Sequence, residues 1–203
     1  TCTWYETRLP KDLIENVIDQ MNLVDQNTIQ DSKVSMKDPL IKYDIRKSKN
    51  SWIPTNLWIG GFLWHYIMKS NRENFLYDIS NIENEVIQYT IYDKGDYYDW
   101  HTDEDISDVY EPDELVRKLS FTLQLSDDDE YTGGDLQFSD FADSKKKFTV
   151  PRSRGTMIVF DSRVPHRVCP IESGTRKTLV GWVMGLSLKH ISEPTRPSSI
   201  SNA

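Results

Sequence analysis

Residues 91–103 read IYDKGDYYDWHTD, and the end of this run decides how the rest of the chain is understood. His101 and Asp103 stand two apart at the end of a stretch suited to an extended strand, where residues two apart point to one side. An imidazole nitrogen and a carboxylate oxygen can therefore meet at one point. A second imidazole, His166, follows in DSRVPHRV (161–168), and two histidines with one carboxylate form the facial set that holds non-haem Fe(II) with positions left open. Further on stands Arg176. Such a metal needs a co-substrate that reduces oxygen. If that co-substrate is a dicarboxylate, a planar guanidinium suits its far end, because it pairs through two parallel hydrogen bonds.

Working outward, the run GTMIVF (155–160) reads as a buried strand leading to His166, and Gly174-Thr175 reads as a turn that places Arg176 early on the β-rich KTLVGWVMG. Thr178 and Val180 then share a face with Arg176. Strands are expected at 75–79, 85–92, 97–101, 117–125, 135–138, 147–150, 156–160, 165–169 and 176–186, with breaks at turn residues such as Lys94-Gly95 and 127–134. Many short strands with no helices between them indicate an antiparallel fold that is closed or built of two sheets. The jelly roll, a double-stranded β-helix, is the version that carries a metal inside. The fold class expected is mainly β, with N-terminal helices packed outside.

Those helices are read from two segments. KDLIENVIDQMN (11–22) puts Leu13, Ile14, Val17, Ile18 and Met21 at helical spacing, with Pro10 suited to the first turn. A second helix is expected from 57 to about 71, capped by Thr55 or Asn56, apolar on more than one face and packed on a sheet. Residues 24–50 show no sustained period and read as a loop. The acidic EDISDVYEPDE (104–114) reads as a solvated loop at the mouth of the site, with a lid or a contact for a basic substrate as the functional alternative.

The length of 203 residues suits one domain, here 1–187, with a helical part at about 8–72 and a β core at about 75–187. The tail 188–203 has no period and reads as disordered or non-native, and a chain that begins with Thr1 reads as a fragment or a trimmed chain. A net charge of −8 disfavours attraction to nucleic acid. No stretch is apolar over the length of a membrane span, and no secretory leader pattern is present. Cys2 and Cys169 lack the spacing of a zinc site or a disulfide scaffold, which points to a reducing, cytoplasmic setting, and Cys169 reads as a small buried residue.

YDKGDYYDWHTD (92–103) resembles the Tyr-x-x-Gly…Tyr-x-x-His-x-Asp signature of the prolyl 4-hydroxylase-like branch of the Fe(II)/2-oxoglutarate-dependent dioxygenases. The resemblance continues through 117–125, GGDLQF at 133–138, GTMIVF and the strands of His166 and Arg176. RKSKNSWIP (46–54) and NRENFLYDI (71–79) look like the N-terminal part of bacterial and viral members. Carried over by position, His101, Asp103 and His166 match the catalytic iron ligands, and Arg176 matches the cation that pairs with the distal carboxylate of 2-oxoglutarate. Arginine there, where the animal and plant collagen-type enzymes carry lysine, weakens a collagen-type assignment. Tyr92 matches a tyrosine that helps hold the same carboxylate, and Thr178 is a further donor to it. Tyr98, Arg117 and Trp182 match substrate-binding positions, with core packing or an ion pair as their plainer alternatives.

The implied cofactors are Fe(II), 2-oxoglutarate and O2, with ascorbate as a reductant of oxidised iron. The implied activity is hydroxylation of an unactivated C–H of a peptidyl residue such as proline, giving succinate and CO2. An oxygenase acting on a free amino acid or other small molecule is the alternative within the enzyme class. A cupin-like metal-binding module without turnover is the alternative outside it, and the residues do not indicate an oligomeric state.

Overall fold

The computed structural model describes residues 2–32, 45–105 and 114–187. In chain order the strands are β1 (Trp4–Arg8), β2 (Gln30–Asp31), β3 (Arg46–Lys47), β4 (Lys49–Pro54), β5 (Ile79–Ile82), β6 (Val86–Tyr92), β7 (Tyr97–His101) and β8 (Leu115–Gln124). They continue with β9 (Tyr131–Gly133), β10 (Leu136–Ser139), β11 (Lys147–Thr149), β12 (Thr156–Asp161), β13 (His166–Val168), β14 (Ile171–Gly174) and β15 (Arg176–Leu186). Helix α1 (Lys11–Asn22) follows β1, and α2 (Trp58–Ser70) follows β4. The larger sheet runs β1-β12-β8-β15-β6-β4-β2 with β5 beside β15, and the smaller runs β11-β10-β13-β7-β3. Strands β9 and β14 form a separate pair. All pairings among the described residues are antiparallel. This is the expected double-sheet jelly-roll arrangement, and the sheets do not close into a barrel.

The period-two alternation of the large sheet divides the protein into two cores. Ile87, Tyr89, Leu119, Phe121, Leu123, Met157, Val159, Leu179 and Val183 face α1 and α2. Tyr92, Ile158 and Phe160, from the same strands, face the smaller sheet and meet Leu136, Phe138 and Val168 there. On the helical side, α1 buries Ile14, Val17 and Met21, the spacing expected for its apolar stripe, and α2 buries Ile59, Leu63 and Ile67. Complete burial of each such side chain contributes about 1.5–3 kcal/mol, so this contact holds both helices to the sheet. Among the described residues, no helix is long and apolar enough to cross a membrane.

The structure corrects several expectations. Leu57, not Thr55 or Asn56, occupies the N-cap position of α2 and makes no side-chain cap. The Thr55 hydroxyl donates instead to Glu85 Oε2 at 2.7 Å, and its carbonyl lies where a Cβ on Gly60 would be, at 2.0 Å, so only glycine lets the helix start this close. The strand expected at 75–79 begins at Ile79, because a π turn, Asn71–Phe75, extends α2 and ends at Leu76 with φ 56°. Asn71 takes the place of a strand partner there: its Oδ1 accepts from Tyr77 N and its Nδ2 donates to Tyr77 O, both at 2.9 Å.

The N-terminal part is not purely helical, since β1, β2 and β4 add strands to the large sheet and β3 adds one to the small sheet. The turn regions near 131–134 and 171–174 also contribute a paired strand each. Most of the acidic loop, 106–113, part of the 24–50 segment, 33–44, and the tail lie outside the described residues.

Candidate metal centre

Strand pairing brings the two imidazoles together. In the β7/β13 register His101 lies opposite His166, so both rings leave the same face of the small sheet, with centroids 4.1 Å apart. Asp103 follows just past the end of β7, where Ser162 O accepts the N–H groups of Asp103 and Glu104 at 2.9 and 3.0 Å. Its carboxylate reaches both rings: Oδ1 is 3.6 Å from His101 Nε2, and Oδ2 is 3.5 Å from His166 Nε2. One ligand atom from each of the three residues lies within 4.8 Å of the others.

The surroundings orient these groups. His101 Nδ1 lies 2.7 Å from Asp99 O, and His166 Nδ1 lies 2.8 Å from Val164 O. A carbonyl only accepts, so each Nδ1 carries a proton, and each ring turns its Nε2 toward Asp103. Burial, followed by the neighbouring His166, pushes the His101 pKa down to about 3, which keeps that ring neutral at ordinary pH. Burial alone would raise the Asp103 carboxyl. The two imidazoles, a 2.6 Å hydrogen bond from Ser120 Oγ and the Arg117 charge outweigh it and hold the carboxyl below its usual range. Two imidazole nitrogens and a carboxylate on one side of an open cavity fit Fe(II).

A cavity opens from these three residues along the inward face of the large sheet, and Arg46, Gln88, Tyr92, Arg176, Thr178 and Trp182 also line it. Alternation accounts for this wall, because Arg176, Thr178, Val180 and Trp182 are every second residue of β15 and Arg176 pairs in register with Tyr92. Arg176 is 5% exposed, with its guanidinium carbon 5.5 Å from the Tyr92 ring centre. Among the described residues no carboxylate pairs with it. A buried cation without an acid partner fits one carboxylate of a dicarboxylate co-substrate.

The remaining predicted positions are placed differently. Tyr98 stacks on His101, with centroids 3.4 Å apart and planes 10° apart. Trp182 lines the cavity, and its Nε1 is buried without a hydrogen-bond partner among the described residues. Arg117 is not part of that lining. Its Nη2 donates to Glu83 Oε2 at 2.6 Å, its Nη1 to Asp103 O at 3.4 Å, and its guanidinium lies 4.3 Å from the Trp182 ring centre. Thus Arg117 backs Trp182 and braces the metal-side backbone. Cys169, read as buried, is only partly so, and burial raises its thiol pKa.

Sequence reasoning missed Ser120, Ser162, Arg46 and Gln88. The two serines support Asp103, Ser120 from a strand read only for its apolar residues and Ser162 from the turn that follows β12. Arg46 stands in a polar segment with no period to place it.

A sequence profile of the 2OG-Fe(II) oxygenase superfamily matches residues 87–184, the span that carries all three ligand-type residues and Arg176. Residues 87–184 are thus similar to the 2OG-Fe(II) oxygenase superfamily. A PKHD-type hydroxylase of Synechococcus sp. (strain CC9605) is 37% identical over 89 residues, which cover 44% of this chain and 37% of that protein. The chain thus spans well under half the length of the curated relatives it matches.

The fold is similar to that of a prolyl-4-hydroxylase of Pseudomonas putida, with TM-score 0.67 and 22% identity over 92% of this chain and 95% of that one. It is also similar to a prolyl hydroxylase from Trichoplax adhaerens solved with a hypoxia inducible factor oxygen degradation domain peptide, with TM-score 0.70 and 17% identity over 91% and 84% of the two chains. Oxygenases of this superfamily use Fe(II), 2-oxoglutarate and O2; the donor set here suits Fe(II), and buried Arg176 suits a carboxylate of 2-oxoglutarate.

Proposed function

We propose that this chain is an Fe(II)- and 2-oxoglutarate-dependent dioxygenase that hydroxylates an unactivated C–H of a peptidyl residue such as proline, with release of succinate and CO2. The observation that carries the reading is one cavity with His101, Asp103 and His166 converging on it and Arg176 buried in its wall without an acid partner among the described residues. Iron and 2-oxoglutarate, when bound, supply the reduction of O2 and the oxidation of the C–H bond. The protein's part is to hold, orient and keep dry.

His101 and His166 bind through Nε2, each fixed in that tautomer by its backbone carbonyl, and Asp103 supplies the charge. Arg176 takes the distal carboxylate of 2-oxoglutarate, with the hydroxyls of Tyr92 and Thr178 beside it as further donors. Leu136, Phe160, Val168 and Val180 make the intervening wall apolar, which limits water near the reacting centre. Tyr98 and Trp182 face the substrate, and Arg117 acts on the substrate through the Trp182 ring it backs. Residues 1–187 are read as one domain, because β1 joins the sheet through β12 and ties the N-terminal segment to the core. The setting is read as cytoplasmic and the substrate as a peptide, with ascorbate serving to return oxidised iron to Fe(II).

The test is an anaerobic titration with Fe(II) and then 2-oxoglutarate, following the visible metal-to-ligand charge-transfer band. The expected result is a band in the wild type, no band in His166→Ala and a weakened co-substrate affinity in Arg176→Ala. Iron binding without the band would overturn the co-substrate assignment and favour a metal-binding module without turnover.

A further inference from the structure

The cavity holds a second guanidinium that the reaction above does not use. Arg46 of β3 pairs in register with Tyr98 of β7, and its guanidinium lies 4.7 Å from the Tyr98 ring centre, the ring that stacks on His101. Its Nε donates to Ser48 Oγ at 3.0 Å and one Nη2 hydrogen goes to Gln88 Oε1 at 2.8 Å. Those two bonds and the ring fix the plane of the group. Among the described residues Nη1 and the other Nη2 hydrogen have no further partner, which leaves Arg46 able to take a carboxylate end-on through two parallel hydrogen bonds. Among the described residues no carboxylate pairs with Arg46, whereas Arg117, the other arginine nearby, is neutralised by Glu83.

The charges point the same way. On the proposed reading, Fe(II), ionised Asp103, doubly charged 2-oxoglutarate and Arg176 balance one another, so the Arg46 cation at the cavity wall is left without a counter-charge among the described residues. A partly buried cation there suits an incoming molecule that brings an anion.

We infer that Arg46 anchors a carboxylate of the substrate, so that this site takes an acid, either a terminal carboxylate or an acidic side chain next to the residue to be hydroxylated. The inference rests on the dioxygenase reading of the same site. It narrows the substrate class from any proline-containing peptide to one with a carboxylate within reach of Tyr98. It also assigns the two arginines of the cavity separate tasks, Arg176 for co-substrate and Arg46 for substrate.

The test is calorimetric binding to the Mn(II)-substituted protein with 2-oxoglutarate, kept anaerobic so that nothing turns over. N-acetylproline is compared with N-acetylprolinamide for the terminal carboxylate, and acetyl-prolyl-aspartamide with acetyl-prolyl-asparaginamide for the side chain. The wild type is expected to bind at least one acid about tenfold or more tighter than its neutral partner, the preference of a charge-assisted pair. Arg46→Gln should erase that preference and Arg46→Lys should keep part of it, while both retain their affinity for 2-oxoglutarate.

Equal binding of acid and amide in the wild type, no binding of any probe, or a preference that survives Arg46→Gln would each overturn the inference. Loss of 2-oxoglutarate affinity in Arg46→Gln would overturn it too, by moving Arg46 into the co-substrate site. The charge-transfer band of the wild type with 2-oxoglutarate alone involves no substrate. Its absence would therefore mark a failure of the dioxygenase reading and not of the Arg46 assignment.

Discussion

Ser120 is the residue whose removal tests the metal centre most selectively. Its hydroxyl is 1% exposed, donates to Asp103 Oδ2 at 2.6 Å and lies 3.0 Å from Ser162 Oγ. Ser120→Ala deletes one oxygen, leaves the β8 pairing in place and releases one of the constraints on the Asp103 carboxylate. A hydrogen bond to a charged group contributes about 1.5–3 kcal/mol. Loss of a group that orients a metal ligand weakens metal binding by roughly 10- to 100-fold, which is a similar free energy. The expected result is thus a rise of about 10- to 100-fold in the Mn(II) dissociation constant, measured by electron paramagnetic resonance of the free ion, with a melting temperature lowered by only a few degrees. An unchanged dissociation constant, with binding still abolished by His166→Ala, would refute the claim that Ser120 sets the Asp103 ligand. If His166→Ala also binds normally, the metal lies elsewhere.

Gly181 sits in β15 with its missing Cβ position 2.5 Å from Phe121 Cζ, and Phe121 is fully buried. Gly181→Ala should therefore destabilise by about 1–3 kcal/mol in urea unfolding, and an unchanged midpoint would mean that the ring moves freely. Leu63, fully buried between α2 and the sheet, should cost about 2–5 kcal/mol as Leu63→Ala, read as a lowered melting temperature. Asp161 gives a pH dependence. Burial alone would raise its pKa, but the Arg163 fork and the Tyr77 hydroxyl outweigh burial and hold it below 3.8. A depressed folded pKa contributes stability that is present above the unfolded value and lost as the pH falls through the folded one. The stability gap between wild type and Asp161→Asn should hold at neutral pH and shrink below about pH 4, and a gap constant down to pH 3 would contradict this origin.

Much of the fold was legible wherever one side of a strand is apolar. Strands β6, β8, β12 and β15 alternate between two cores, and α1 and α2 carry stripes at helical spacing, so pattern and burial coincide. Strand β4 was not legible because two of its three buried residues, Asn50 and Ser51, are polar, beside Ile53. Asn50 Nδ2 and Ser48 Oγ both bond Ser32 Oγ, and Ser51 Oγ bonds Thr28 Oγ1, which replaces apolar alternation by a hydrogen-bonded layer. Short β9 and β14 were hidden by the glycines that bound them, since Gly133 and Gly174 have positive φ and read as turns. In the site, His101, His166 and Arg176 could be read because they stand on strands that fix their direction, and Asp103 because it follows two residues after His101 where β7 ends. The polar supports at Ser120 and Arg46 depend on which strands become neighbours, and that information lies in the register.

The central claim is that one metal ion and one 2-oxoglutarate share this cavity, the first on His101, Asp103 and His166 and the second on Arg176. The most direct measurement is an anaerobic crystal structure with Mn(II) and 2-oxoglutarate, with the metal located by its anomalous scattering. The account predicts a single strong peak between His101 Nε2, His166 Nε2 and the Asp103 carboxylate, with the distal carboxylate of 2-oxoglutarate forked onto Arg176. A peak away from these three residues, or 2-oxoglutarate bound through Arg46 with Arg176 left unpaired, would contradict it.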